Sequence, residues 1–416
     1  MPYPPRQTKA LVSNGQPAKA SSMLTRTFGN RLAAAGFSAA LLYFILQNSA
    51  LPFAAQLKNR YLLFFVAALA IFFIVTSKLR SQAAAIGFFA LLILSAFVSF
   101  RANDCMPLII VCLTVVTRKL SPAAIAKSAF IILTAALAML YALTLFGYIP
   151  NYSGIRAGVL RHAYGMTQPT VWTNCVFFAA AAYVCMRRRM RADVIAVLFV
   201  AALLTFFAAN GRNDTSSIVL LAILPLGLNA APLARFKMIW RSAALAAYPV
   251  FAAAAYGITK LYAHHDGVVH HINLNNLFTG RLYLGYEALH RYPITWFGQH
   301  VIENGGGKAG ALVPSLPYFY IDSSYLHLLL KFGIVFTGLF FVWIIWRTRE
   351  LMNGHQPLLA IIVFIAGFQG MWEANLFSPL NFTLFMLCAQ LQTPSVRQAQ
   401  EQSAIADAQT STSDYR

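Results

Sequence analysis

The sequence predicts an all-α, polytopic integral membrane protein of about twelve transmembrane helices with one long extracytoplasmic loop, and three observations predict it. First, 59% of the 416 residues are apolar and only 11% are charged, against about 25% charged in an ordinary soluble domain. That leaves too little polar surface to cover a water-soluble globule, and it excludes a disordered chain and a small disulfide scaffold alike. Second, the apolar residues fall into long runs, several without a single charge, such as 61–77. In lipid only a helix satisfies every backbone group within one segment. Third, the 32 Lys and Arg against 12 Asp and Glu are distributed unevenly along the chain. In a soluble chain that excess would point to nucleic acid; here the placement of the charges matters more than their sum, and no nucleic-acid partner is expected.

Taken in order, residues 1–31 are polar and basic and lack an early apolar core, so they read as a cytoplasmic tail preceding a retained anchor rather than a cleaved signal peptide. Apolar runs follow near 32–49, 61–77, 83–100, 105–117, 126–148, 170–186, 193–209, 215–233, 242–262, 322–346, 357–372 and 378–393. About 20 apolar residues cross a bilayer core; the run at 105–117 is short for that. Residues 394–416 are rich in Gln, Ser, Ala and Asp and read as a disordered cytoplasmic tail. The membrane domain is therefore 32–393.

Orientation follows the Lys/Arg bias. With the N-terminus inside, the cytoplasmic segments collect Arg6, Lys9, Lys19, Arg26, Arg31, Lys78, Arg80, Arg118, Lys119, Lys127, the run Arg187 to Arg191, Arg235, Lys237, Arg241, Arg347 and Arg349. Both termini are then cytoplasmic. Residues 149–169 form an outer loop of moderate length and 263–321 a much longer one. Long loops in compact proteins are usually functional.

Since the bias puts positive charge inside, the arginines outside ask for a reason. Arg156 and Arg161 lie in SGIRAGVLRHAYGM, Arg212 in ANGRNDTSS at a helix end, and Arg281 in NNLFTGRLYLGYEALHRYP. A guanidinium fork binds phosphate bidentately, which lysine cannot do. Several such arginines in Gly/Asn/Thr-rich turns point to an anionic lipid-linked ligand such as a polyprenyl pyrophosphate. Snorkelling to lipid headgroups is the plainer alternative. GRNDTSSIVLL also reads as a helix start that Asp214 or Thr215 can cap, and helix N-termini favour anions.

Two carboxylates stand at the outer ends of spans. Asp322, in FYIDSSYLHLLLKFGIVF, is either an N-cap or a general base that orients an acceptor hydroxyl; both roles are compatible. Glu373, in GMWEANLFSPLN, is either a solvated hairpin residue or a functional acid at membrane depth. His162 beside Arg161 is a ligand-contact candidate, and so is Tyr325. The cluster HHDGVVHH (264–271) has no recognised zinc spacing, and the five cysteines form no CxxC pair and read as small buried apolar residues.

In its order of motifs the chain resembles the O-antigen ligase and polymerase superfamily of bacterial membrane glycosyltransferases, over roughly 150–390. RAGVLRHAYGMTQPT resembles the polymerases' arginine-containing loop segment through Arg161, Gly165 and Pro169. NGRNDTSS with Arg212, TGRLYLGYEALHRYPITWFGQ with Arg281 and Gly298, and IDSSYLHLLLKFGI complete the pattern. The ligases carry a histidine where Asp322 stands, with the spacing from Ser323 to Gly333 kept, so the resemblance is to the polymerase branch. WEANLFSPLN is similar to that branch's glutamate-containing turn.

The resemblance implies a GT-C-like helical enzyme in the plasma (inner) membrane with its active face extracytoplasmic. It would join undecaprenyl-pyrophosphate-linked repeats of an O-antigen, capsule or exopolysaccharide, without nucleotide sugar, metal or other cofactor. Partners would be the lipid-linked donor and acceptor glycans, membrane lipids, a flippase and a chain-length regulator. On this reading Arg212, Arg281, Asp322 and Glu373 are catalytic, and Arg156, Arg161, His162 and Tyr325 bind substrate. Ligation to a different acceptor, or transport by a flippase, are the competing functions. A transporter would more typically place its charges near the bilayer midplane.

Overall fold

A computed structural model describes residues 16–76, 82–156, 158–187, 190–230, 234–265, 268–269, 272–273, 275, 278, 280–305, 313–354 and 356–389. The tail 394–416 and residues 266, 267, 270 and 271 of HHDGVVHH lie outside the described residues. The protein is mostly helical. Its helices are α1 (Gln16–Gln47), α2 (Asn59–Val75), α3 (Gln82–Ala102), α4 (Met106–Thr117), α5 (Pro122–Leu145), α6 (Pro169–Arg187), α7 (Ala192–Leu203, continued by a π-helical turn Leu204–Ala208), α8 (Arg212–Ala230), α9 (Ala234–His265), α10 (Arg281–Arg291), α11 (Ser324–Asn353), α12 (Pro357–Gln369) and α13 (Phe382–Cys388).

Each of the twelve expected apolar runs overlaps one of these helices, the run at 378–393 only over Phe382–Cys388. Six segments are long and apolar enough to cross a membrane: Thr27–Gln47, Ala85–Ala102, Pro122–Leu145, Pro169–Arg187, Ile239–Tyr262 and Ser324–Asn353. The rest are shorter or less apolar, and α13 has 7 residues. Helix α1 begins at Gln16, inside the stretch expected to be a polar tail. Large apolar side chains face outward, with Ile86 70% and Phe100 84% exposed on α3 and Val75 79% exposed on α2. Water does not tolerate such an exterior, whereas lipid does.

Local chemistry sets the helix starts. Ser121 accepts from the Ala124 N–H at 3.2 Å, with Pro122 opening α5, and Asp104 accepts from the Met106 N–H at 2.9 Å ahead of α4. Pro357 opens α12. Proline is tolerated there because its missing N–H is not needed in the first turn. The outer loop 149–169, expected as plain loop, carries an antiparallel hairpin of β1 (Ser153–Arg156) and β2 (Val159–His162) with Gly154 opposite Arg161. A second, smaller hairpin joins β3 (Val268–Val269) and β4 (Ile272–Asn273).

Helix α11 is discontinuous. A π-helical turn spans Leu328–Phe332, and Gly333 then takes φ +84°. The loop segment 295–299 fills the break. The N–H groups of Ile334 and Val335 donate to the carbonyls of Thr295 and Trp296 at 3.0 Å each, and the Gln299 N–H donates to the Lys331 carbonyl at 3.1 Å. These bonds give partners to backbone groups freed at the break, which irregular backbone inside an apolar helix requires. The approach requires glycine on both sides: a Cβ on Gly333 would lie 2.3 Å from the Gly298 nitrogen, and one on Gly298 2.3 Å from the Lys331 carbonyl oxygen.

The bundle has two chemically distinct ends. At one, Arg118 donates to the Phe73 carbonyl at 3.4 Å, linking the ends of α4 and α2, and Arg241 donates to Asn353 at 2.9 Å, linking the start of α9 to the end of α11. The opposite end receives both hairpins, α10 and the turn 370–381, together with most of the buried ionised groups.

Candidate functional site

The site lies at that second end, where α6, α8 and α11 begin and α12 ends. The π-helical turn after α7 leads to Asn210 at φ +45° and then Gly211. A Cβ on Gly211 would sit 2.6 Å from the Thr173 side chain, so the Asn-Gly pair lets the start of α8 press directly onto α6. This contact sets the position of Asp214. The helix begins at Arg212, two residues before the expected cap, and Asp214 in its first turn points inward. Its carboxylate accepts from the Thr173 hydroxyl and from the Gln369 amide at 2.6 Å. The sequence-based capping role for Asp214 is thus replaced by a bridge between three helices.

The same Gln369 amide donates to Asn174 at 2.8 Å, and Asn174 donates to Glu373 at 3.2 Å. Glu373 is 6% exposed, which overturns the solvated-hairpin alternative. The turn carrying it folds inward because Ser324 holds it: the Ser324 N–H donates to the Gly370 carbonyl at 2.9 Å, its hydroxyl donates to the Glu373 carbonyl, and it accepts from the Leu376 N–H at 3.0 Å.

Arg281, the first residue of α10, donates to Glu373 at 2.6 Å and lies 4.0 Å from the Asp322 carboxylate. Burial works against its charge, and Glu373 and Asp322 together outweigh burial and hold the guanidinium above its ordinary pKa. The fork is therefore engaged with two carboxylates rather than standing open toward solvent. Asp322 precedes the N-cap of α11. Ser323 occupies that position, and its side chain makes no cap hydrogen bond. Asp322 stands one residue before that cap, beside Arg281.

Arg161, on β2, is 7% exposed. Its Nε donates to the Ala209 carbonyl at 2.6 Å, while its buried Nη2 has no hydrogen-bond partner among the described residues. Burial, then the charge of Arg281, push its pKa down, with Glu373 and Asp214 opposing them. A buried guanidinium with an orphan N–H is costly unless something polar meets it. Arg212 is exposed beside the cluster, its Nε 3.4 Å from Asn210.

The structure therefore brings together Arg161, Arg281, Asp322 and Glu373, with Arg212 at the margin. His162 stands to one side, 3.4 Å from Asn151, its ring 5.9 Å from that of Tyr164. Arg156 is at the end of β1, facing Val159 in the hairpin register. Tyr325 points the other way: it is 2% exposed and its hydroxyl donates to the Gly367 carbonyl at 2.8 Å, so it packs the helix interface rather than the cluster. Sequence reasoning missed Thr173, Asn174, Asp214 and Gln369 as site residues. The available signal was polar side chains inside otherwise apolar helices, which are expensive there and tend to be functional.

A second ionic group sits beside the break in α11. Lys331 lies 2.9 Å from Asp104 and 3.2 Å from Glu303, and His327 is 3.4 Å from Glu303. Burial alone would raise the Glu303 pKa; the charges of His327 and Lys331 and the Ile321 N–H lower it to about 2. This group ties the long loop to α3 and α11. Among the described residues, no set of three or more His, Cys, Asp or Glu is placed to hold a metal ion.

No family model matches the chain, and neither the curated proteins nor the solved structures contain a significant match to it.

Proposed function

We propose that this chain is a membrane glycosyltransferase of the polymerase type, extending an undecaprenyl-pyrophosphate-linked glycan by one repeat at a time on the outer face of the plasma membrane. On this reading the helices form twelve spans in a GT-C-like arrangement with both termini cytoplasmic, and the site end of the bundle is extracytoplasmic. The observation that carries the proposal is the convergence, at one end of the apolar bundle, of buried arginines and carboxylates with an Arg161 N–H that has no acceptor among the described residues. Such a site suits a substrate that is anionic at one point and hydroxyl-bearing at another.

The step balances without a further reactant. The acceptor hydroxyl oxygen attacks the anomeric carbon of the donor glycan, and the bond from that carbon to the pyrophosphate oxygen breaks. The acceptor proton passes to Asp322, and the polyprenyl pyrophosphate leaves with the bonding electrons. Arg161 and Arg212 meet the developing negative charge of the leaving group. Arg281 holds Glu373 and Asp322 in position, so that one carboxylate stays ionised and aimed at the acceptor. Reconstitution of the purified protein with synthetic lipid-linked repeats, followed by product sizing, tests the reading. A ladder of repeat lengths is expected. A single transfer to a different acceptor would make it a ligase, and unchanged glycan would favour transport.

A further inference from the structure

A cleft opens beside the carboxylate pair, and none of the site's arginines lines it. Asp322 and Glu373 form part of its wall, and the rest of its polar lining is neutral, including Asn48 just after α1, Gln168, Thr170 and Asn174 at the start of α6, Tyr320, and Asn375 in the turn after α12. No Lys, Arg or His lines it. Gln168 and Asn375 are each partly buried and line this cleft. Side-chain amides on a cleft wall are the kind of placed polar group that orients a polar ligand. Phe44 and Leu380 supply apolar surface on the same cleft, which suits the C–H face of a sugar ring.

We infer that this cleft is the acceptor subsite and that it selects an uncharged, hydroxyl- and amide-bearing sugar residue, such as an N-acetylhexosamine, at the end of the acceptor that is attacked. The inference rests on the polymerase reading and adds to it the substrate class on the acceptor side. Charge divides the two sides of the site. The donor's pyrophosphate meets Arg161 and Arg212, whereas the acceptor sugar approaches a wall holding two carboxylates and only neutral donors and acceptors. A carboxylate on that sugar would face Asp322 and Glu373, whose two charges the single Arg281 only partly offsets, with no further cation among the cleft-lining residues. The narrowness of the cleft admits the edge of one ring, so selection acts on the terminal residue and not on the rest of the repeat.

The test uses the purified full-length protein in nanodiscs with one fixed donor and two acceptors, identical except that the terminal sugar is an N-acetylhexosamine or a hexuronic acid. The neutral acceptor is expected to be extended with a kcat/KM at least about tenfold higher. Gln168→Ala and Asn375→Ala are each expected to raise the acceptor KM about tenfold while the donor KM stays within twofold of the wild-type value. Wild-type protein that makes no ladder with either acceptor overturns the polymerase reading itself. Wild-type protein that makes the ladder but uses both acceptors equally overturns only the acceptor subsite. Variants that shift the donor KM instead of the acceptor KM overturn it too, and if either variant fails to fold, the two-acceptor comparison on wild-type protein decides alone.

Discussion

Removing the Arg281 side chain isolates a carboxylate that the fold has buried. Arg281 and Glu373 have side chains only 12% and 8% exposed and meet at 2.6 Å. After Arg281→Ala, the contact left to Glu373 is the Asn174 amide at 3.2 Å. Deleting one partner of a buried ion pair costs about 3–5 kcal/mol; because some water reaches Arg281, about 3 kcal/mol is expected. Adding Glu373→Gln removes the stranded charge while leaving a side-chain oxygen that still accepts from Asn174. The double variant is therefore expected to regain about half of the lost stability, measured as the midpoint of aggregation on heating in detergent. Neither variant regains chain extension, since Asp322 has lost the arginine that positions it in both. Arg281→Lys keeps the charge but not the fork and should be intermediate in stability and poor in activity. A double variant no more stable than Arg281→Ala would refute neutralisation of Glu373 as the role of the arginine. Normal polymer from Arg281→Ala would remove Arg281 from the site altogether.

Four further outcomes are expected. Asp322→Asn should fold normally, because Ser323 and not Asp322 stands at the N-cap, and should lose about 10²–10⁴-fold in activity as a general base would; full activity would pass the role to Glu373. Gly333→Ala should lower the yield of folded protein severely, since its Cβ would meet the Gly298 backbone at 2.3 Å; near-normal melting would refute the threaded break in α11. The depressed Glu303 pKa contributes stability that is fully present above the ordinary glutamate value of 4.5 and is lost as pH falls toward about 2, so Glu303→Gln should flatten the acid limb of the melting profile between those values. In a cysteine-free background, cysteines placed at Ser315 and Arg349 should react with a membrane-impermeant maleimide from opposite sides; labelling from one side would refute the proposed topology.

Runs of apolar residues were enough to place most of the helices, since a segment that meets lipid must be apolar whatever it packs against, although the last run is helical only over Phe382–Cys388 and α10 lies in no such run. The outer arginines and the two carboxylates Asp322 and Glu373 were legible for the same reason: a charge at the end of an apolar run is conspicuous. Asp214, Asn174 and Gln369 were not, because their importance comes from one another. Asn174 and Glu373 are 199 residues apart and Gln369 and Asp214 are 155 apart, and nothing local in the chain announces such a bridge. Tyr325 shows the converse error. A tyrosine next to a motif looks like a ligand contact, yet one helical position past Ser324 turns it into the interface with α12, where its hydroxyl finds the Gly367 carbonyl. The break in α11 was equally hidden, because Gly333 inside an apolar run reads as an ordinary helical residue until the chain at Gly298 is laid against it.

The dispersal of the bridge along the chain has a consequence for biogenesis. A ribosome-bound chain delivers Asp214 to the membrane long before α12 arrives with Gln369, and it delivers Arg281 before the turn that carries Glu373. During that interval Asp214 has only the Thr173 hydroxyl from α6 to meet it, and Arg281 lacks its closest carboxylate. Chains terminated before α12 would lack both the Gln369 amide that meets Asp214 and the carboxylate nearest Arg281, and poorly matched charges at membrane depth are costly. Late nonsense or frameshift alleles should therefore behave as nulls through loss of the protein, even when every helix up to α11 has been made.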